Sequence, residues 1–116
     1  MKNFIKEILY IKKGSFNQSE YLKIDIQDNK NIVKYLINDK SKIFEVDDYK
    51  INIFTERLNR TIDSWQEKYI DNSVIDGSIW QLSILYKNGF QKNYSGKNIF
   101  PGNFNNFNQL KKQLLE

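Results

Sequence analysis

The apolar residues of this chain change their period near Asp47, from every second residue before it to every third or fourth after it. Side chains alternate across a strand and recur every 3.6 residues around a helix, so this switch constrains the chain to strands followed by a helix. Upstream, Leu22, Ile24 and Ile26 alternate with Tyr21, Lys23, Asp25 and Gln27, the pattern of a strand with one buried face. Residues 32–37 and 42–46 read as two further strands. They are set off by Asp28-Asn29-Lys30 and Asn38-Asp39-Lys40-Ser41, whose Asp and Asn suit turns. Residues 4–12 carry apolar side chains on both parities, which fits a strand and also a short helix, and residues 14–19 read as a loop.

Downstream, Asp47 or Asp48 is placed to cap a helix whose stripe is Ile51, Phe54, Leu58, Ile62, Trp65 and Tyr69. That spacing predicts a helix of roughly five turns. Residues 71–77 form a loop ending in the turn signal Asp76-Gly77. A strand over 79–86 then puts Trp80, Leu82, Ile84 and Tyr86 on one face. Asn88-Gly89 predicts a tight type I′ hairpin into a strand from Phe90 to about Tyr94. Residues 95–102 read as irregular, and Asn103 is placed to cap a last helix buried through Phe104, Phe107, Leu110 and Leu114. The expected fold is therefore a single α+β domain over residues 1–116, an antiparallel sheet in the order β-β-β-β-α-β-β-α with its helices packed on one face.

Absent residue types exclude much chemistry. The chain has no Cys and no His, so it has no disulfide, no zinc–thiolate site, no thiol nucleophile and no imidazole base. Asp47-Asp48 sit at a helix start, where acids stabilise the positive end of the dipole, and they read as a cap rather than an acid–base pair. Asp71-Asn72-Ser73 with Asp76-Gly77 fails as an EF-hand because Leu82 stands where the twelfth-position Glu would be. No glycine-rich phosphate loop is present. No enzyme activity, cofactor or metal is expected. Charges interrupt the N-terminus at Lys2, Lys6 and Glu7, and no apolar run approaches the ~20 residues of a membrane helix. A cytoplasmic protein without membrane contact is expected.

The run Trp65…Tyr69…Asp76-Gly77-x-x-Trp80-x-Leu82-x-Ile84-x-Tyr86-x-x-Gly89, then Gly96-x-Asn98-x-x-Pro101-x-x-Phe104, resembles a widespread group of small low-GC bacterial proteins. These read DG–x–x–W, a hairpin, and G–x–N–x–Y–P before a closing helix. Phe100 stands where that group more often has Tyr. The resemblance covers about residues 50–116 and implies this order of elements, with no activity attached. Read physically, Asp76-Gly77 turns the chain into the strand, Trp80 packs near Trp65, Gly96 permits a bulge or a left-handed residue, and Pro101 fixes the approach to the last helix.

Net charge is +4, all of it in residues 77–116, where Lys87, Lys92, Lys97, Lys111 and Lys112 face the single Glu116. Part of this lysine content is compositional, since sixteen Lys against two Arg and no Ala is the signature of an AT-rich coding genome. The expected function is a non-catalytic protein-binding module, inhibitor- or immunity-like. Its basic C-terminal surface, Lys87, Lys92, Tyr94 and Lys97 with Arg57 and Arg60, would meet an acidic partner protein. The alternative is a weak single-stranded nucleic-acid binder using the 87–97 hairpin, where Phe90, Lys92 and Tyr94 share a face. Partner identity and oligomeric state do not follow from the residues.

Overall fold

Alternation decides which strand residues point inward, and the computed structural model, which describes residues 4–14, 18–70 and 77–116, follows it. The loops expected at 15–17 and 71–76 lie outside the described residues. The strands are β1 (Ile5–Lys13), β2 (Ser19–Ile26), β3 (Asn31–Ile37), β4 (Lys40–Val46), β5 (Lys68–Ile70), β6 (Ile79–Tyr86) and β7 (Gln91–Lys97). The helices are α1 (Asp48–Ile62) and α2 (Phe104–Leu115). Residues 4–12, which fitted either element, form a strand. All seven strands join one sheet in the order β4-β3-β2-β1-β6-β7-β5. Every pair is antiparallel except β5 with β7.

The register stacks the inward residues in rows. Tyr35, Leu22, Tyr10, Leu82 and Tyr94 stand side by side across β3, β2, β1, β6 and β7. Val33, Ile24, Ile8 and Ile84 form the next row, all four fully buried. Both helices lie over this face. Phe107 of α2 meets Tyr10 edge-on at 4.9 Å, and Asn59 of α1 accepts from the Tyr86 hydroxyl at 3.2 Å. Ile51, Phe54, Leu58 and Ile62 bury the inner stripe of α1, as Phe104, Phe107, Leu110 and Leu114 bury that of α2. Asp47 caps α1 by accepting from the Lys50 amide at 2.8 Å.

Three local expectations are corrected. The first helix stops at Ile62 although its apolar spacing continues to Tyr69. The Trp65 amide bonds back to the Ile62 carbonyl at 2.9 Å, and the indole swings into an aromatic cluster with Trp80, Tyr94, Phe104 and Phe107. Packing of one large ring overrides helix propensity. Tyr69 then lies in β5, a strand the periodicity did not disclose.

The Asn88-Gly89 turn is a three-residue loop rather than type I′. Gly89 alone of the pair has positive φ, 90°, and its amide closes the turn onto the Tyr86 carbonyl, with Tyr86 N–H bonded to the Phe90 carbonyl.

Asn103 makes no side-chain cap on α2. Its amide group donates to the Thr61 carbonyl at 2.9 Å, satisfying an exposed end of α1, while its oxygen accepts from Trp65 Nε1 at 2.6 Å.

Among the described residues no helix is long and apolar enough to cross a membrane.

Candidate functional site

The glycine–tryptophan pattern of the second half is a packing lock. Trp80 is fully buried on β6 and lies across Gly96, its neighbour on β7, donating from Nε1 to the Ile99 carbonyl at 2.9 Å. A Cβ on Gly96 would overlap the indole and come within 2.5 Å of that same carbonyl oxygen. Gly96 therefore sits within β7 and admits a ring, instead of forming the bulge expected of it. A Cβ on Gly77 would overlap the Asn98 side chain, which leaves the sheet at φ 65°. Phe100 stacks on Trp80 at 6.0 Å, and Trp65 meets Trp80 edge-on at 5.7 Å, as expected. These residues are held against one another by contact, which accounts for their spacing.

The six residues expected on one basic surface do not share one. In β7, Lys92 points to the helix side, its ammonium 5.5 Å from the Tyr86 ring, whereas Lys97 is on the opposite face beside Ile79. Lys87 sits in the turn, its amide bonded to the Phe4 carbonyl. Tyr94 is 9% exposed and packs on Trp65, so it belongs to the core and offers no ring for a base to stack on. A strand interleaves its faces, and residues 92 and 97 differ in parity. Arg57 and Arg60 lie on α1, away from this hairpin, and both are exposed.

Arg57 borders an apolar concavity, and Arg60 a hollow next to it. Between α1 and α2 runs a groove of about 280 Å³ whose walls include Tyr49, Ile53, Phe54, Leu110 and Leu114, with Arg57 at its rim. It continues past Arg57 and Leu110 into a second hollow of about 300 Å³ reaching Arg60 and Asn106. Arg60 is held by Glu56 at 2.6 Å. Among the described residues the Arg57 guanidinium donates to the Gln113 amide oxygen, at 3.4 Å, and forms no ion pair. Tyr49, 78% exposed, stands at the other end. No protein-family model, curated protein or solved structure matches this chain. What the chain does has to be read from its own surfaces.

One charged cluster escaped the sequence reading. Lys111, counted there in the C-terminal charge excess, is 6% exposed and lies between α2 and the sheet. Its ammonium bonds Glu20 Oε2 at 2.7 Å and sits 4.5 Å from the Tyr10 ring, and the Tyr35 hydroxyl donates to the same oxygen at 2.8 Å. Residues 104, 107, 111 and 114 recur at helical spacing, which was the available signal. Beside Glu20 opens a polar pocket of about 450 Å³ that also touches Lys12, Ser19, Asn38 and Ser78. The Tyr10 hydroxyl is buried without a hydrogen-bond partner among the described residues. No group of three metal-binding side chains converges among the described residues.

Burial lowers the Lys111 pKa, with Glu20 opposing that shift, and burial raises those of Tyr10, Tyr35 and Tyr94. The unfolded chain ionises its tyrosines near pH 10 while the folded chain keeps these three protonated, so the fold loses stability as pH rises beyond about 10. Lys111 acts oppositely, since its desolvation penalty fades as pH approaches about 10.5, where the unfolded lysine also deprotonates. Urea midpoints are expected to hold or rise slightly up to about pH 10 and then fall, since the tyrosines together outweigh the one lysine, Tyr10 alone costing about 1.4 kcal/mol per pH unit. Tyr10→Phe is expected to flatten the fall; an unchanged alkaline slope in that variant would contradict the assignment.

Proposed function

We propose that this protein is a non-catalytic, cytoplasmic protein-binding module of the inhibitor or immunity type. It takes up an apolar side chain flanked by carboxylates, from a partner with an acidic surface, in the groove between α1 and α2. One observation carries the reading: an apolar cleft whose rim guanidinium, Arg57, has no carboxylate partner of its own among the described residues. An arginine is weakly hydrated and presents a planar fork of donors suited to a carboxylate, and buried apolar anchors supply most of an interface's affinity. The groove lies between two helices, the setting in which an amphipathic segment is recognised by its apolar face. Its cations are Lys50 and Arg57, the latter one of the two arginines expected to serve from the sequence, whereas the lysines of the hairpin are split between faces.

Affinity capture from the native host, followed by titration of the purified partner, tests this. Arg57→Glu and Ile53→Asp are each expected to weaken binding by at least about tenfold, as loss of an interface anchor does. Lys97→Glu, on the far side of the sheet, is expected to leave affinity unchanged. A partner equally well bound by both groove variants would overturn the reading.

A further inference from the structure

The helices cover one face of the sheet, and the other face carries a pattern of its own. Outward residues fall into four rows across the strands. The first is acidic at its centre, Asp25 beside Glu7 and then Leu85. Next come Lys34, Lys23, Leu9 and Ser83, followed by Leu36, Tyr21, Ile11 and Gln81. The last row holds Lys13, Ile79 and Lys97. Leu9, Ile11, Tyr21, Leu36 and Leu85 are only half-buried, and Ile79 is 49% exposed.

We infer that this face is the interface of a symmetric homodimer in which two sheets stack. A two-fold axis lying in the interface, across the strands and midway between the second and third rows, sets each row against its complement. Glu7 then meets Lys13 of the other copy, Leu9 meets Ile11, Lys23 lies over Tyr21, Ser83 faces Gln81, and Leu85 meets Ile79. No like charges oppose each other in these rows.

The self-matching is the reason to choose a second copy over a foreign partner. A two-fold interface demands that one patch complement itself, and a face with Glu7 and Asp25 at one end, Lys13 and Lys97 at the other, and Leu9, Ile11, Tyr21 and Leu36 beside Lys23 and Lys34 between them can do so. Within one copy, Glu7 and Lys13 are six residues apart on β1, about 20 Å, so they cannot pair with each other; Lys23 lies 3.9 Å from both Glu7 and Asp25, one ammonium for two carboxylates, which leaves that end of the face with a negative charge for Lys13 of the other copy. The face spans six strands of seven to nine residues, β5 having only three, at about 4.8 Å spacing and about 23 Å along them, a footprint of about 660 Å², somewhat below the ~800 Å² per partner of a standard interface. Aligned stacking of two twisted sheets at about 10 Å is an established way to bury such faces. The helix layers, and with them the α1–α2 grooves, remain outermost on both copies.

Sedimentation equilibrium of the purified chain over a micromolar range decides the matter. A mass twice that of the monomer is expected. Ile11→Glu is expected to weaken the dimer by on the order of thirtyfold, because it places a charge at the apolar centre. Lys13→Glu is expected to weaken it about fivefold, as the two symmetry-related exposed charge pairs are lost. The exchange Glu7→Lys/Lys13→Glu is expected to recover part of that loss while keeping the monomer's circular dichroism, which only a pairing between copies explains. A monomer at all concentrations, a dimer indifferent to Ile11→Glu, or an exchange no better than Lys13→Glu alone would each overturn the inference.

Discussion

Gly96→Ala is expected to destabilise the protein by about 3 kcal/mol, at the upper end for an inserted methyl because the contacts it disturbs are rigid ones. The added carbon would have to displace the Trp80 indole or the Ile99 carbonyl. The ring is enclosed by Trp65, Tyr69, Phe100 and Phe104, with centroids 5.3–6.1 Å from its own, and the carbonyl belongs to the chain leading into α2. Either movement also breaks the Nε1–O bond, and a buried donor left unpaired costs about 1–3 kcal/mol by itself. In a thermal scan the same change corresponds to a drop on the order of 10 °C.

Gly102→Ala is the internal control. Its Cβ would meet nothing within 4 Å, so a change within about 0.5 kcal/mol is expected. A Trp80→Phe background isolates the cause. The smaller ring vacates the space next to Gly96, and the cost of the added methyl should fall by more than half in a double-mutant cycle read from urea midpoints. If Gly96→Ala costs the same with either ring, the indole is not what requires glycine there.

The same contact explains what was legible in the residues and what was not. Period-two alternation in 20–27 and 79–86 and the stripe from Ile51 to Ile62 report burial directly, so those elements and their faces were readable. Fold class and order of elements followed from them, and the structure has that α+β architecture. Trp65 and Tyr69 continue the stripe by spacing alone, and only the position of Trp80, fifteen residues on, determines that the indole leaves the helix. β5 is three residues long and pairs in parallel, with no alternation to betray it. Asn103 resembles a helix cap in sequence, yet its two polar atoms are taken by Thr61 and Trp65, partners that no local pattern reveals.

The candidate site divides along the same line. Arg57 and Arg60 were legible as cations off the apolar stripe, but the groove beside them exists only where α1 meets α2. Tyr94 was misplaced because a strand end near a hairpin reads as exposed, whereas the register sets it beside Leu82 in the central row. Lys111 was not singled out, because a charge count along a sequence does not separate a lysine in water from one under a helix.

That buried lysine leads to an asymmetric expectation. Glu20→Gln should cost about 3 kcal/mol or more, while Lys111→Met should cost less than about 1 kcal/mol and could stabilise the fold. The difference lies in what each change leaves behind. Without the carboxylate, an ammonium 6% exposed retains only the Tyr10 and Phe107 ring faces, at 4.5 and 5.4 Å, and a cation there must be either desolvated or deprotonated. Without the ammonium, Glu20 still accepts from Tyr35, borders the polar pocket it shares with Lys12, and reaches water through a side chain 16% exposed. Methionine also fills the lysine's apolar volume against Phe107 and Tyr10, so no cavity opens. Combining the two changes should restore most of what Glu20→Gln loses, since the stranded charge is then gone. Urea denaturation of the three variants near neutral pH measures all of this. A Lys111→Met variant as unstable as Glu20→Gln would mean that the pair contributes net attraction exceeding the desolvation of both ions, the reverse of the balance argued for this site.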